Sequence, residues 1–268
     1  MPFTLAHPAA VLPLARGPLV PAALVAGAMS PDVPYFVRLP RSADAWYEPF
    51  VNATTTHAWP GALTVAVPSA AVLLAVWWFV RLPLRALAGT ASRAPERNRT
   101  LRAATWTLAS LAVGVATHVA WDAVTHGDGA AVQHIAWLRE PLLGDMPAAR
   151  VLQHASTVLG LVALAVWAGR RVAAWRAAGG RLPVDRVRAA VVSALVVVGL
   201  AGALVGAGSA DAGAEVALSS AATRGGAAFV VAGLAAAAAW WALRLRPVAE
   251  PRADERTAAT GTPSTPAP

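Results

Sequence analysis

Five stretches of apolar residues constrain the fold of this chain more than any other feature. A hydrocarbon core about 30 Å thick needs about 20 apolar residues in a helix to cross it. Only 13% of the 268 residues are charged, against about 25% in soluble domains, so a water-solvated surface is excluded. The sequence therefore predicts an all-α fold, a polytopic transmembrane helix bundle. Its predicted spans are residues 61–80, 101–125, 151–169, 188–208 and 225–245.

A shorter apolar stretch, residues 19–30, lies between prolines. It is too short to cross a bilayer, because a span needs about 17 residues or more. We expect it to form an interfacial or re-entrant helix. If residues 8–30 crossed the membrane instead, the N-terminus with His7 would lie on the opposite, cytoplasmic side.

The arginines indicate topology rather than nucleic-acid binding. The net charge is +8, but six arginines fall within residues 81–102 and six within residues 170–188, both between apolar stretches. Positive residues are retained on the cytoplasmic side of a membrane, so both connections are predicted to be cytoplasmic. The Thr/Pro/Ala-rich tail, 247–268, is predicted to be cytoplasmic and disordered. The region before residue 61 and the loop 126–150 would then lie on the outer face.

Within the second predicted span, His118 and Asp122 are the strongest candidates for chemistry. Ionisable side chains inside a span are costly unless they are paired, hydrated or bound to metal. Their spacing of four residues places both on one face of a helix. Two ligands from one turn can hold a divalent ion, and a hydrogen-bonded His–Asp pair that stabilises a helix contact is an equally good interpretation.

Other histidines and one aspartate lie near predicted outer-side boundaries. Each has an ordinary explanation as well: Asp32 can cap the next helix, and His126 can interact with a helix C-terminus. His134 is assigned to structure. The chain has no cysteine, so any metal must bind to His, Asp or Glu. The residues considered together as ligands are His7, Asp32, His57, His118, Asp122, His126 and His154.

Several segments together carry a resemblance to a known group of proteins. These segments are MPFTLAHPAAVLPL, GAMSPDVPYF, THAWPG, HVAWDAVTH and LQHASTVLG. They resemble a bacterial integral-membrane family of unknown function, across most of residues 1–170. That family is similar to the membrane-bound metal-dependent hydrolases, which are distant relatives of zinc-dependent phospholipase C.

The resemblance implies a phospholipase C-like helical metal-site core and a bound Zn²⁺. It assigns metal ligands to His7, Asp32, His57, His118 and Asp122, and less directly to His126 and His154. Asp32 or Asp122 would also serve catalysis, as a base or as a bridge between two metals. The phospholipase has His-x-x-x-Glu where this chain has Val158 four residues after His154, so one or two metals are expected rather than three.

These observations predict a metal-dependent hydrolase in the bacterial cell membrane, acting on a lipid or phosphoester at the outer surface. Its partners would be membrane lipids, with no nucleic acid. Two alternatives stay open: a transporter or ion-permeation protein with a His/Asp relay, and a non-catalytic scaffold. The predicted organisation is a metal-site membrane domain, 1–170, a C-terminal helix pair, 171–246, and the tail, 247–268.

Overall fold

The computed structural model describes residues 4–37, 39, 45–90, 101–183, 185–208 and 213–244. The arginine-rich segment 91–100 and the predicted tail 247–268 lie outside the described residues. Across the described ranges, five helices are long and apolar enough to cross a membrane, which confirms the predicted all-α polytopic bundle. The candidate spans are Ala62–Leu87, Leu101–His134, Ala148–Ala177, Arg186–Gly208 and Ala214–Arg244.

The N-terminal part consists of short helices. A 3₁₀ turn, Thr4–Ala6, leads into α1 (Pro8–Val11) and a second 3₁₀ turn, Leu12–Leu14. Helix α2 (Pro21–Met29) is nine residues long and is followed by a 3₁₀ turn, Ser30–Asp32. The prolines explain the short lengths, because proline is accepted in the first helical turn but disrupts a helix interior.

Three more short helices precede the first long one. They are α3 (Val33–Phe36), α4 (Glu48–Val51) and α5 (Ala53–His57). A π-helical turn, Ala62–Ala66, then continues into α6 (Val67–Leu87). This helix runs past residue 80, the predicted end of the first span.

The buried core forms where α2 packs between α6 and α7 (Leu101–Thr125). Its members include Ala23 from α2, Leu74 from α6 and Leu111 from α7, each no more than 2% exposed. The segment predicted to form an interfacial or re-entrant helix is thus a buried helix that contacts two candidate spans. Small side chains on α2 allow this close packing, as in membrane helix pairs generally.

After α7 the chain forms a compact connection and then a long helix. The connection contains α8 (Ala130–His134), a 3₁₀ turn, Ala136–Arg139, and an antiparallel pair of strands, β1 (Pro141–Leu143) and β2 (Met146–Pro147). Helix α9 (Ala148–Ala177) follows and packs against α1 and α7. The domain boundary predicted at residue 170 falls inside α9.

Helices α10 (Arg186–Gly208) and α11 (Ala214–Arg244) form a close pair through small residues. A Cβ atom added at Gly202 would lie 2.7 Å from the Cβ of Ala228. Helix α11 also packs against α6, where Trp241 Nε1 donates to the carbonyl oxygen of Phe79 at 3.1 Å. The pair therefore adjoins the core formed by α2, α6 and α7.

Candidate metal centre

Helix α7 contributes a buried histidine and a buried aspartate to the candidate site. His118 is 1% exposed and Asp122 is 6% exposed. His118 Nε2 lies 3.2 Å from Asp122 Oδ2. The i, i+4 spacing places both groups on one face of the helix, as the sequence predicted. The structure shows that this face is buried.

Asp32 reaches the same place from the turn that follows α2. It is fully buried, and its side chain makes no helix-capping hydrogen bond among the described residues. The interpretation of Asp32 as a helix cap is therefore wrong. The position of the turn depends on the crossing of α2 and α7, where a Cβ atom added at Gly27 would lie 2.9 Å from the Cα of Gly114.

His57 is the last residue of α5 and is half-buried. Asn52 caps this helix by accepting a hydrogen bond from the Thr54 amide at 3.0 Å. The buried hydroxyl of Thr56 donates to the carbonyl oxygen of Pro31 at 2.7 Å. This bond ties the end of α5 to the Asp32 turn, so it fixes His57 relative to Asp32.

Five of the six separations among the four ligand atoms lie close to those of a tetrahedral metal site. His57 Nε2 lies 3.2 Å from His118 Nε2 and 3.2 Å from Asp122 Oδ2. Asp32 Oδ1 lies 3.5 Å from both imidazole Nε2 atoms. All four ligand atoms fall within 4.8 Å of one another. Zinc bonds of about 2.0–2.1 Å at tetrahedral angles separate neighbouring ligand atoms by about 3.4 Å.

The two imidazoles are oriented as metal ligands usually are. His118 Nδ1 donates to the carbonyl oxygen of Ala28 at 2.7 Å, and His57 Nδ1 donates to that of Ala53 at 2.8 Å. Because a carbonyl can only accept, each Nδ1 carries the proton. Each Nε2 of a neutral ring then directs its lone pair into the cluster. Metal-binding histidines usually make this second hydrogen bond to a carbonyl or carboxylate.

The carboxylates carry buried oxygens that lack hydrogen bonds. Both oxygens of Asp32 and Oδ1 of Asp122 have no hydrogen-bond partner among the described residues. Burial raises the pKa of Asp32, but the imidazoles of His118 and His57 outweigh it and hold that pKa well below its usual range. An ionised, buried carboxylate requires a positive partner. These residues fit a divalent cation on the basis of charge as well as spacing.

The same carboxylates act on His57. Burial lowers the pKa of His57, but Asp122 and Asp32 outweigh it and raise the pKa to about 10. A proton therefore occupies this ring at neutral pH when no metal is bound. Cation and proton compete for the same Nε2 lone pair.

His7 and His126 lie on the other side of Asp122. His7 Nε2 is 3.6 Å and His126 Nδ1 is 3.4 Å from Asp122 Oδ1. The His7 ring stacks on that of His118, with centroids 3.7 Å apart. Burial, together with the neighbouring His118, lowers the pKa of His7 to about 4, so this ring is neutral. Asp122 thus directs one oxygen to the four-residue cluster and the other to a second histidine pair.

His154 does not join these residues. Its side chain is exposed, whereas the preceding Gln153 is 3% exposed. Successive residues on a helix point about 100° apart, so a helix that turns Gln153 inward turns His154 away. The expectation that His154 belongs with the ligands is therefore not supported by its position. His134, assigned to structure, is exposed and donates to the Ala130 carbonyl at 2.7 Å.

Sequence reasoning missed the groups that orient the ligands. The Thr56 hydroxyl and the Ala28 carbonyl make hydrogen bonds that span 25 and 90 residues of sequence. A partial signal was present in α7, because Gly114 precedes His118 by one helical turn. That glycine allows the close approach of α2, which brings the Ala28 carbonyl to His118.

The fold and the cluster define a polytopic helical membrane protein with a buried His/Asp site that could hold a metal ion. The family described as a domain of unknown function, DUF4184, matches residues 1–238, and the chain belongs to this family. No curated protein and no solved structure matches the chain. The family match carries no similarity to hydrolases or to phospholipase C, so that expectation stays a prediction.

Proposed function

We propose that this protein is a membrane-embedded, zinc-dependent hydrolase that acts on a lipid or phosphoester at the membrane surface. One observation carries the proposal: ligand atoms of Asp32, His57, His118 and Asp122 lie within 4.8 Å of one another. They come from three separate parts of the chain, and three buried carboxylate oxygens there lack hydrogen-bond partners among the residues that the structure describes. A cation among them would satisfy the charge.

Zinc is the ion that we propose for this ligand set. Imidazole nitrogen and carboxylate oxygen are its usual ligands in the absence of cysteine, and His/Asp sets bind zinc in hydrolytic enzymes. When bound, zinc supplies Lewis-acid activation of water and polarisation of a phosphoryl or carbonyl oxygen. Binding of one or two ions is compatible with the two groups of histidines on either side of Asp122.

The residues of the chain contribute binding and proton transfer. Asp122 Oδ1 lacks a hydrogen-bond partner in the described part of the chain and faces His7 and His126. A carboxylate in this position can accept a proton from a nucleophilic water, which is the role we assign to it. Asp32, buried beneath the imidazoles, is the second candidate for this role. His7, neutral at physiological pH, can donate to or accept from a substrate oxygen.

We place the site at the outer face of a bacterial cell membrane, with the C-terminus in the cytoplasm. The argument is the excess of arginine in the connections after the first and third candidate spans, since arginine-rich loops stay cytoplasmic. A site at a membrane face suits a lipid substrate, which can enter sideways from the bilayer. A relay that moves ions would need polar residues along the full membrane depth.

The test is hydrolysis by zinc-loaded protein in proteoliposomes. The substrates are phospholipids of the bilayer and a soluble chromogenic phosphodiester, and the rate of product release is measured for each. We expect Asp122→Asn to lower the rate by about 10²–10⁴-fold, as loss of a general base does, and His154→Ala to retain the rate. Equal rates for zinc-loaded wild type and Asp122→Asn on every substrate would contradict the proposal. An ion flux abolished by Asp122→Asn would favour the transporter instead.

A further inference from the structure

An apolar groove of about 520 Å³ runs beside the His/Asp cluster. Its walls come from the N-terminal segment, α7 and α9, and they include Ala6, Trp121 and Leu159. This volume is typical of a small-molecule site, about 300–1,000 Å³. The groove therefore has room for an extended ligand rather than for single water molecules.

The few hydroxyl groups that line the groove are already engaged within their own helices. Thr125 donates to the carbonyl oxygen of Trp121 at 3.0 Å, and Ser156 donates to that of Gln153 at 3.0 Å. A polar ligand would find few partners along these walls. A hydrocarbon chain loses nothing by lying there, because it makes no hydrogen bonds.

The position of the groove identifies the source of such a chain. Two of its walls belong to the candidate spans Leu101–His134 and Ala148–Ala177. Trp121 is 42% exposed and Leu159 is 68% exposed on these helices. In a membrane, side chains exposed on spanning helices face lipid, so the groove is continuous with the lipid-facing surface.

The groove reaches the candidate metal centre at His7. His7 lines the groove, is 5% exposed and stacks on His118. Its Nε2 atom lacks a hydrogen-bond partner within the described ranges and lies 3.6 Å from Asp122 Oδ1. A buried nitrogen without a hydrogen-bond partner in the wall of an apolar groove marks the point where a bound ligand changes from apolar to polar.

We propose that this groove binds one acyl chain of a membrane lipid and places the polar end of that lipid at His7 and Asp122. The position of the head group rests on the hydrolase proposed above. The acyl-chain site rests on the groove alone. The substrate class is thus a lipid with at least one long hydrocarbon chain, and a water-soluble phosphoester would lack the interactions that the groove supplies.

The test is photo-crosslinking with a phosphatidylglycerol that carries a diazirine in one acyl chain. The probe is added at one equivalent to full-length protein in detergent, and adducts are mapped by mass spectrometry. Ala155 lines the groove, whereas Val158 on the same helix is 60% exposed and does not. We expect the wild-type protein to form adducts on peptides that line the groove. Ala155→Trp should form roughly tenfold fewer, which is the low end for steric misfit in an apolar pocket. Val158→Trp should form as many as wild type.

Ala163→Phe serves as a second groove-filling variant, and a cooperative thermal transition shows which variants are folded. Adducts spread equally over α9, α10 and α11, and unchanged in both filling variants, would overturn the acyl-chain site. The labelling requires neither zinc nor turnover. Groove-specific adducts in a protein that binds no metal and hydrolyses nothing would therefore retain the acyl-chain site and reject the hydrolase.

Discussion

Gly114→Ala adds one methyl group where α2 crosses α7, the contact that positions the candidate metal centre. A Cβ atom at this position would lie 2.8 Å from the Ala28 amide nitrogen and 2.8 Å from the Gly27 Cα, and closer still to the Leu24 carbonyl oxygen. These are backbone atoms, which cannot turn away as a flexible side chain can. The two helices must therefore move apart.

The net cost is about 2 kcal/mol. Overpacking a close contact costs about 1–3 kcal/mol, and the upper end applies against backbone. Replacement of glycine by alanine offsets about 0.5–1 kcal/mol of this cost, because alanine has the higher helix propensity. For a chain of this size, a loss of about 2 kcal/mol lowers the melting temperature by about 4–8 °C. Separation of the helices also weakens the hydrogen bond from His118 Nδ1 to Ala28, 2.7 Å long, so we expect zinc affinity to fall by about 10–100-fold.

Gly169→Ala is the matched control, because it makes the same change in another candidate span. In the described part of the chain, no atom beyond the neighbouring residues and the nearby backbone of its own helix lies within 4 Å of a Cβ atom added at Gly169. This variant should gain about 0.5–1 kcal/mol from helix propensity and bind zinc normally. Thermal unfolding in detergent and zinc titration compare the two. A Gly114→Ala protein with wild-type stability and zinc affinity would refute the role of the helix crossing.

Three further predictions address individual residues. Thr56→Val removes the bond to the Pro31 carbonyl, so we expect a loss of about 1–3 kcal/mol and weaker zinc binding; a purely local effect would leave zinc affinity unchanged. Because the pKa of His57 is raised to about 10, zinc must displace a proton from this ring. As the pH is lowered from about 9 to about 6, zinc affinity should therefore fall about tenfold per pH unit for each proton released. Calorimetry in buffers of different protonation enthalpy measures that release, and a flat pH profile would contradict it. His154→Ala should leave zinc affinity unchanged in the same titration, since His154 is exposed; a loss of zinc would place His154 among the ligands.

The long helices could be predicted because length and apolarity alone determine whether a segment can span a bilayer. The ends were less predictable. Helix α6 continues to Leu87, past the predicted span end at residue 80, because arginine is a good helix former although it is charged. Charge ends the apolar stretch without ending the helix.

The pairing of His118 with Asp122 could also be predicted, because both lie on one helix with fixed periodicity. The burial of α2 could not, since it depends on two glycines, Gly27 and Gly114, that meet across distant parts of the sequence. The orientation of His154 was likewise unpredictable from its motif. The rotation of α9 about its axis depends on how the helix packs, and in this structure Gln153 rather than His154 is buried.

The most direct test of the central claim is the metal content and ligand distances of the purified protein. We expect zinc bound in stoichiometric amount by elemental analysis, with nitrogen and oxygen ligands at about 2.0–2.2 Å by X-ray absorption. His118→Ala and Asp122→Ala should lose that zinc, and His154→Ala should retain it. Wild-type protein that binds no stoichiometric divalent metal, and is indistinguishable from the His118 and Asp122 variants, would contradict the account.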